Sequence, residues 1–231
     1  MWSTRSCADS RRYASYSQSF DPVAGTDAQG NAFRPKRGAQ VETGVKWESS
    51  STPTRVSAAY YTITERNRLA TDPDDFNKSI QIGEAHLKGV ELEARGGIAS
   101  WTGMTSYTWS QARATAGSFG GDLDATQQLE GIPEHQASAW IVYDFTHLGW
   151  TGLRFGGGAR LIGRIGDGTG AVFVPRVTLL DLMGSYAFHG WHVSLNVNNL
   201  SDKRYIATCL ARGDCWFGQR RTLSVTTGFT F

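Results

Sequence analysis

The chain has 231 residues, 12% of them aromatic, with Lys+Arg 23 and Asp+Glu 21 mixed along its length for a formal net charge of +2. That length suits one large all-β domain or one barrel, and the mixed charge leaves no basic stripe of the kind that nucleic-acid binding needs. No stretch approaches the roughly 18 apolar residues of a membrane helix, whereas a transmembrane β-barrel stays permitted, because there only alternate residues must be apolar.

Residues 1–10 (MWSTRSCADS) lack the apolar centre of a secretory signal and are left unassigned; taken literally, the chain carries no export signal. Residues 11–20 (RRYASYSQSF) read as a first strand, followed by a Gly-, Pro- and Asp-rich loop to residue 38. In the second strand, 40–48, Val41, Thr43, Val45 and Trp47 alternate with Gln40, Glu42, Gly44 and Lys46. The tight connection SSSTPT (49–54) leads to a third strand at 55–67, which ends in the polar loop TDPDDFNK at 71–78. The fourth, 80–95, sets Val90, Leu92 and Ala94 against Glu91, Glu93 and Arg95.

A short connection at 99–102 precedes a fifth strand with Thr105, Tyr107 and Trp109 on one side, and the acidic, Gly-rich stretch 114–133 is the longest loop so far. The sixth strand, 136–145, gathers Ala137, Ala139, Ile141, Tyr143 and Phe145. After a turn at 147–150, the seventh carries Leu153, Phe155, Gly157, Ala159 and Leu161 against Arg154, Arg160 and Arg164. Loop 166–170 leads to the eighth, 177–188, with Leu180, Leu182, Tyr186 and Phe188 opposite Asp181 and Ser185. His189-Gly190 turns into a ninth strand on which Trp191, Val193, Leu195 and Val197 share a face. A long polar loop separates it from the last strand, whose apolar positions are Leu223, Val225, Phe229 and the terminal Phe231.

The reading is therefore all-β: about ten antiparallel strands without a helix, joined by connections that alternate long and short. Outer-membrane barrels alternate in this way, with short periplasmic turns and long outer loops. A charge facing lipid costs about 2–4 kcal/mol at the bilayer midplane. The uncharged phase of each strand is expected to face lipid, and the charged phase, including Glu91, Glu93, Arg95, Arg154, Arg160 and Asp181, a watery lumen. A soluble β-sandwich or lipocalin-like barrel would turn the apolar phase inward instead, and alternation alone does not separate the two.

Residues 198–205 (NNLSDKRY), Cys209, the run CWFG at 215–218, Arg220-Arg221 and the closing GFTF resemble the C-terminal end of TonB-dependent siderophore receptors, the ferrichrome and hydroxamate type above all. YASYSQSFDPVAGTDAQGNAF near Tyr13, VETGVKW at Val41, GEAHLKGVELE at Gly83 and GIPEHQASAWIVYDF at Gly131 extend the resemblance over residues 11–231. It implies an antiparallel transmembrane β-barrel, of which this chain holds about the last ten of 22 strands, with the plug domain and the TonB box absent. The expected role is ferric siderophore uptake at the cell outer membrane, the chain being a truncated or split product inactive in transport alone. Implied partners are the ferric siderophore as cargo, outer-membrane lipid, the barrel-assembly machinery acting on the strand of Leu223, Val225, Phe229 and Phe231, and TonB through the missing N-terminal part. No resident cofactor or metal and no catalytic set are expected. A self-standing ten-stranded barrel and a soluble β-domain binding protein are the alternatives.

Counting strand direction back from Phe231 puts Arg66, Arg113, Arg164 and Tyr205 near the outer rim, with Trp216 and Phe217 in the last outer loop. Cations and aromatic faces are what a ferric hydroxamate would meet, although each residue is equally open to a reading as a girdle aromatic or a solvated arginine. Cys209 and Cys215, in that same loop, are expected to form a disulfide if the loop is exported, two free thiols being the alternative. Cys7 has no evident partner.

Overall fold

Small polar residues alternating with β-branched and aromatic ones form strands along nearly the whole chain. The computed structural model describes residues 9–27, 29–72, 75, 77–114, 128–210 and 213–231. Its strands are β1 (Asp9–Asp21), β2 (Lys36–Glu48), β3 (Arg55–Thr71), β4 (Ser79–Ile98), β5 (Trp101–Ala114), β6 (His135–Asp144), β7 (Leu153–Ile162), β8 (Ile165–Gly166), β9 (Phe173–Val174), β10 (Val177–Phe188), β11 (Trp191–Asn198), β12 (Ile206–Cys209), β13 (Cys215–Phe217) and β14 (Thr222–Phe229). Among the described residues the one helical piece is a single 3-10 turn at Phe145–Leu148, capped by the Asp144 side chain. Residues 1–8, most of the segment left unassigned, and much of the Gly-rich loop (115–127) lie outside the described residues.

Ten strands make one antiparallel sheet in the order β1-β2-β3-β4-β5-β6-β7-β10-β11-β14, and β8–β9 and β12–β13 are separate hairpins. Those hairpins fall within stretches the sequence presents as loop, because elements of two to four residues are too short to show a period. The seventh strand stops at Ile162, leaving Arg164 beyond it. The short connections gather at one end of the sheet. His189 and Gly190 both have positive φ, 45° and 82°, the two-residue geometry that matches the twist of paired strands. The sheet is open: β1 and β14 each pair on one side only.

Register assigns the faces, because side chains of directly paired residues in an antiparallel ladder point the same way. One face joins Val41 to Tyr16 and Thr62, Leu92 to Tyr107, and Leu195 to Val225. It is apolar and bare: Val41 is 52%, Leu180 46% and Val225 68% exposed. Aromatic rings crowd its short-turn end in contacting pairs, Trp101 with Tyr143, Tyr186 with Phe188, and Trp191 with Phe229. So wide an exposed apolar face with an aromatic border suits hydrocarbon and not water.

The opposite face carries Tyr13, Glu42, Glu91, Glu93, Arg95, Arg160 and Asp181. It is concave, with a cavity of about 710 Å³ lined by Arg11, Lys46, Glu48, Arg55, Glu93 and Arg95 among others. Among the described residues no apolar core lies under either face; the buried apolar clusters are two small ones, around Ala85, Ala112 and Leu129 and around Ile165, Val174 and Cys209. One expectation needs correction. The apolar face is not free of charge: Arg12, Arg37, Arg66, Glu84, Lys88 and Arg113 share it, toward the two ends of the strands.

Candidate functional site

The long-loop end of the sheet is closed over by three connections that pack on one another. Segment 128–133 returns to the end of β5: the Leu129 N–H donates to the Ala112 carbonyl at 2.8 Å, and Gln128 Oε1 accepts from the Ala112 N–H at 2.9 Å. The Gly131 N–H then reaches the Gly166 carbonyl of the β8–β9 hairpin at 3.3 Å. That hairpin is shaped by Asp167, 3% exposed, whose carboxylate accepts from the backbone N–H groups of Thr169, Gly170 and Val172 and from the Thr169 hydroxyl. Ile165 and Val174 bury Cys209 of the β12–β13 hairpin between them and Ile162.

The run at 198–205 holds this cap to the barrel wall. Asn199 is 2% exposed with φ at 53°, a left-handed conformation that Asn tolerates. Its side-chain amide donates to the carbonyls of Lys203 and Gln219 at 2.9 and 3.1 Å, and its Oδ1 accepts from the Lys203 N–H at 2.9 Å. Its own N–H donates to Asp181 Oδ1 at 2.8 Å, and that carboxylate also takes a bidentate pair from Arg160 at 2.6 and 3.0 Å. Strand β10 and both arms of the last loop therefore meet at one asparagine, and β7 joins them through the Arg160–Asp181 pair. Asn199 is thus a structural knot.

Asp202 anchors the second arm. Arg220 clamps it with two guanidinium nitrogens, the Arg221 N–H donates to it at 3.0 Å, and these donors hold its carboxyl well below the usual carboxylate range. A carboxylate with a depressed folded-state value stabilises the fold above its unfolded value of about 3.9, and that contribution is lost as pH falls through the folded value. Hydrogen exchange at the Arg221 amide is the readout. Asp202→Asn is expected to speed it at neutral pH, the two proteins converging only in acid well below pH 4. Equal rates at pH 7 would remove the clamp.

The hairpin carrying the aromatics is closed by a Cys209–Cys215 disulfide with Cα atoms 4.1 Å apart. Closing so short a loop is worth about 2 kcal/mol on the chain-entropy account. Cys209→Ser with Cys215→Ser is expected to raise protease cleavage within 206–217 by roughly thirtyfold, as that free energy implies. An unchanged cleavage rate would show that packing on Ile165 and Val174 suffices. Tyr205 leans its ring on Gly218, where any Cβ would collide with the ring, and the Gly218 N–H donates to the Tyr205 carbonyl at 2.8 Å.

The residues expected to meet a ligand fall into two groups. Arg164, Tyr205, Trp216 and Phe217 lie on the connections at the long-loop end, Arg164 next to the β8–β9 hairpin and the other three on or beside the β12–β13 hairpin. Arg164 lies 4.3 Å from the ring centre of Phe173, a residue that no sequence pattern singles out, and Phe217 is 80% exposed. Arg66 and Arg113 stand elsewhere, on β3 and β5, sharing the apolar face with Val41 and Tyr107. Arg66 pairs there with Glu84 at 2.9 Å, and Glu84 also meets His86 at 3.0 Å. Leu223, Val225 and Phe229 line the bare face of β14, and the Phe231 ring stacks edge-on to Phe229 at 5.2 Å. Among the described residues no group of three His, Cys, Asp or Glu side chains is placed to hold a metal.

A sheet with one polar, charged face and one bare apolar face is the arrangement of an outer-membrane barrel wall. A sequence-family model described as "TonB dependent receptor-like, beta-barrel" matches residues 9–200. The ferrichrome outer membrane transporter/phage receptor of Escherichia coli K12 is 35% identical over 227 residues, covering 95% of this chain and 30% of that protein. The ferrioxamine B receptor of Salmonella typhimurium LT2 is 34% identical over 226 residues, with 95% and 32% covered. Among solved structures, the pyoverdine outer membrane receptor FpvA of Pseudomonas aeruginosa PAO1, bound to pyoverdine, is similar with a TM-score of 0.73 at 26% identity, over 96% of this chain and 34% of that one. The chain thus spans about a third of the length of these relatives.

Proposed function

Since the chain belongs to the TonB-dependent receptor β-barrel family, we propose that it forms the C-terminal part of the barrel wall and outer cap of an outer-membrane receptor that takes up ferric siderophores of the hydroxamate class. The observation that supports this reading is the packing of two hairpins: Arg164 lies over Phe173 beside Val174, Val174 packs on Cys209, and the Cys209–Cys215 disulfide closes the hairpin that carries Trp216 and Phe217. A ferric trihydroxamate is compact, with an apolar rim and exposed oxygens, and it is met by ring faces and guanidinium donors. The relatives named for ferrichrome and ferrioxamine B point to the same ligand chemistry. The ferric complex is cargo and no resident cofactor is required.

Both sheet edges carry unpaired backbone groups that hydrocarbon cannot satisfy, so in a bilayer the ten strands need further strands beside β1 and β14. This disfavours a self-closed ten-stranded channel. The proposal assigns those strands, the plug and the TonB contact to other parts of a receptor, with insertion by the barrel-assembly machinery through β14.

Ferrichrome and ferrioxamine B titrated into the detergent-folded chain should quench tryptophan emission saturably. Phe217→Ala with Arg164→Gln should weaken that binding at least about thirtyfold, the loss of one aromatic contact and one charged hydrogen bond. No saturable quenching by either complex, or binding indifferent to both substitutions, would refute the hydroxamate assignment.

A further inference from the structure

Asp181 joins the lumen wall to the last outer loop. Its side chain is 5% exposed, whereas that of Arg160, which forks onto it, is 44% exposed on the concave face. Oδ2 of Asp181 takes Arg160 Nε at 2.6 Å, and Oδ1 takes both Arg160 Nη2 at 3.0 Å and the Asn199 N–H at 2.8 Å. Asn199 in turn ties both arms of the loop through the carbonyls of Lys203 and Gln219. Among the described residues Arg160 is the one cation that pairs with Asp181. A carboxylate so enclosed stays dry only while its charge is compensated, and removal of the partner leaves a strongly destabilising buried charge.

Arg160 is open to the lumen on its other side. Its register partners on that face are Ser138 of β6 and Leu179 of β10, and neither is charged. A carboxylate arriving in the lumen grips a guanidinium best at two points. From the open edge those points are Nη1 and Nη2, and Nη2 is the nitrogen that Asp181 Oδ1 already holds. Two carboxylates then compete for one fork. What Asp181 gives up it regains from water, and the backbone of Asn199 closes its other side.

We propose that Arg160 is a latch on the last outer loop. Seated on Asp181 it holds the loop down through Asn199; drawn off by a carboxylate in the lumen, it lets segment 199–219 lift. The coupling is reciprocal, so a seated loop weakens carboxylate binding at Arg160 by the same factor. Arg160 acts through Asp181 and is a positioning residue. The membrane reading enters only in making the concave face a lumen, and the hydroxamate reading does not enter.

The test follows hydrogen exchange in the full chain folded in detergent, at the amides of Asn199, Leu200 and Lys203, which donate to Asp181, Leu180 and the Asn199 side chain. Amides of β7 and β11 serve for comparison. Ser138→Asp sets a carboxylate directly beside Arg160 on the paired strand, where an anion in the lumen would stand. It should speed exchange in the loop by about tenfold, the worth of one charged hydrogen bond, and leave the strands unchanged. Ser138→Asn should do neither. Arg160→Gln should speed loop exchange by at least about a hundredfold, because it strands a buried charge. Adding Asp181→Asn to it should restore the rate to within about threefold of wild type, since the neutral side chain still offers Oδ1 to the Asn199 N–H. That reversal separates a latch from misfolding. The latch is overturned if Ser138→Asp behaves like Ser138→Asn, if Arg160→Gln loosens β7 and β11 as much as the loop, or if the double variant stays open. Failure of the membrane reading itself would look different: the wild-type chain would stay monodisperse in water without detergent.

Discussion

Leu195→Arg is expected to destabilise the folded barrel wall by about 2–4 kcal/mol, whereas Ser194→Arg, one residue away, should change stability by less than about 0.5 kcal/mol. Leu195 lies on the bare face, paired with Val225 and Gly184, and stands four residues, roughly 13 Å of strand, beyond the Trp191–Phe229 aromatic pair. That places it deep in the apolar band, where a guanidinium loses its water and finds no partner. Ser194 pairs with Ser185 and Thr226 on the concave face, where an added arginine keeps its hydration. Urea unfolding of the detergent-folded chain, followed by tryptophan emission, reads both values. If the Ser194 variant proved the more damaged of the two, the apolar phase would be packed inward and the chain would be a soluble sheet.

Asn199→Ala should cost about 3–4 kcal/mol, an unusually large effect for a loop residue. The substitution leaves the Lys203 N–H and the carbonyls of Lys203 and Gln219 without their partner, a side chain that is itself only 2% exposed, and it puts a less tolerant residue at positive φ. Asn199→Gly removes the same hydrogen bonds and relieves the backbone, so it should be milder than Ala by about 1 kcal/mol. Asp181 should then lose part of its hold on Arg160, because the Asn199 N–H that helps orient its carboxylate moves with the loop. The experiment is equilibrium unfolding of the two variants beside wild type. Equal and small effects would mean that the disulfide-closed hairpin seats itself without the knot.

The strands and their two faces were legible wherever one phase is charged and the other is not, as in β4, where Glu91 and Glu93 alternate with Val90 and Leu92. Strand β3 shows why the rest was not. Tyr60 and Tyr61 stand side by side, so composition does not say which phase faces outward; pairing of Tyr60 with Thr43 and Val90 does. That is how Arg66, at the long-loop end of β3, came out on the apolar face and away from the cap. The cap aromatics Trp216 and Phe217 could be singled out as loop residues, but Phe173 could not, because its role depends on Arg164 reaching back across a hairpin. The knot had only a weak signal, a polar run after an amphipathic strand, since its donors and acceptors lie as much as twenty residues apart.

What the sequence determined by itself is local: a period of two, turn chemistry at His189-Gly190, and loop lengths that send successive strands in opposite directions. Those suffice for an antiparallel sheet with one greasy and one wet side. Tertiary structure alone decided the phase of ambiguous strands, the charges toward the two ends of the apolar face, and the convergence of three loops on Asn199, Asp181 and Cys209. Each depends on register between strands, and register is a non-local quantity: shifting one pairing by one residue turns every side chain to the other face while leaving the local pattern untouched.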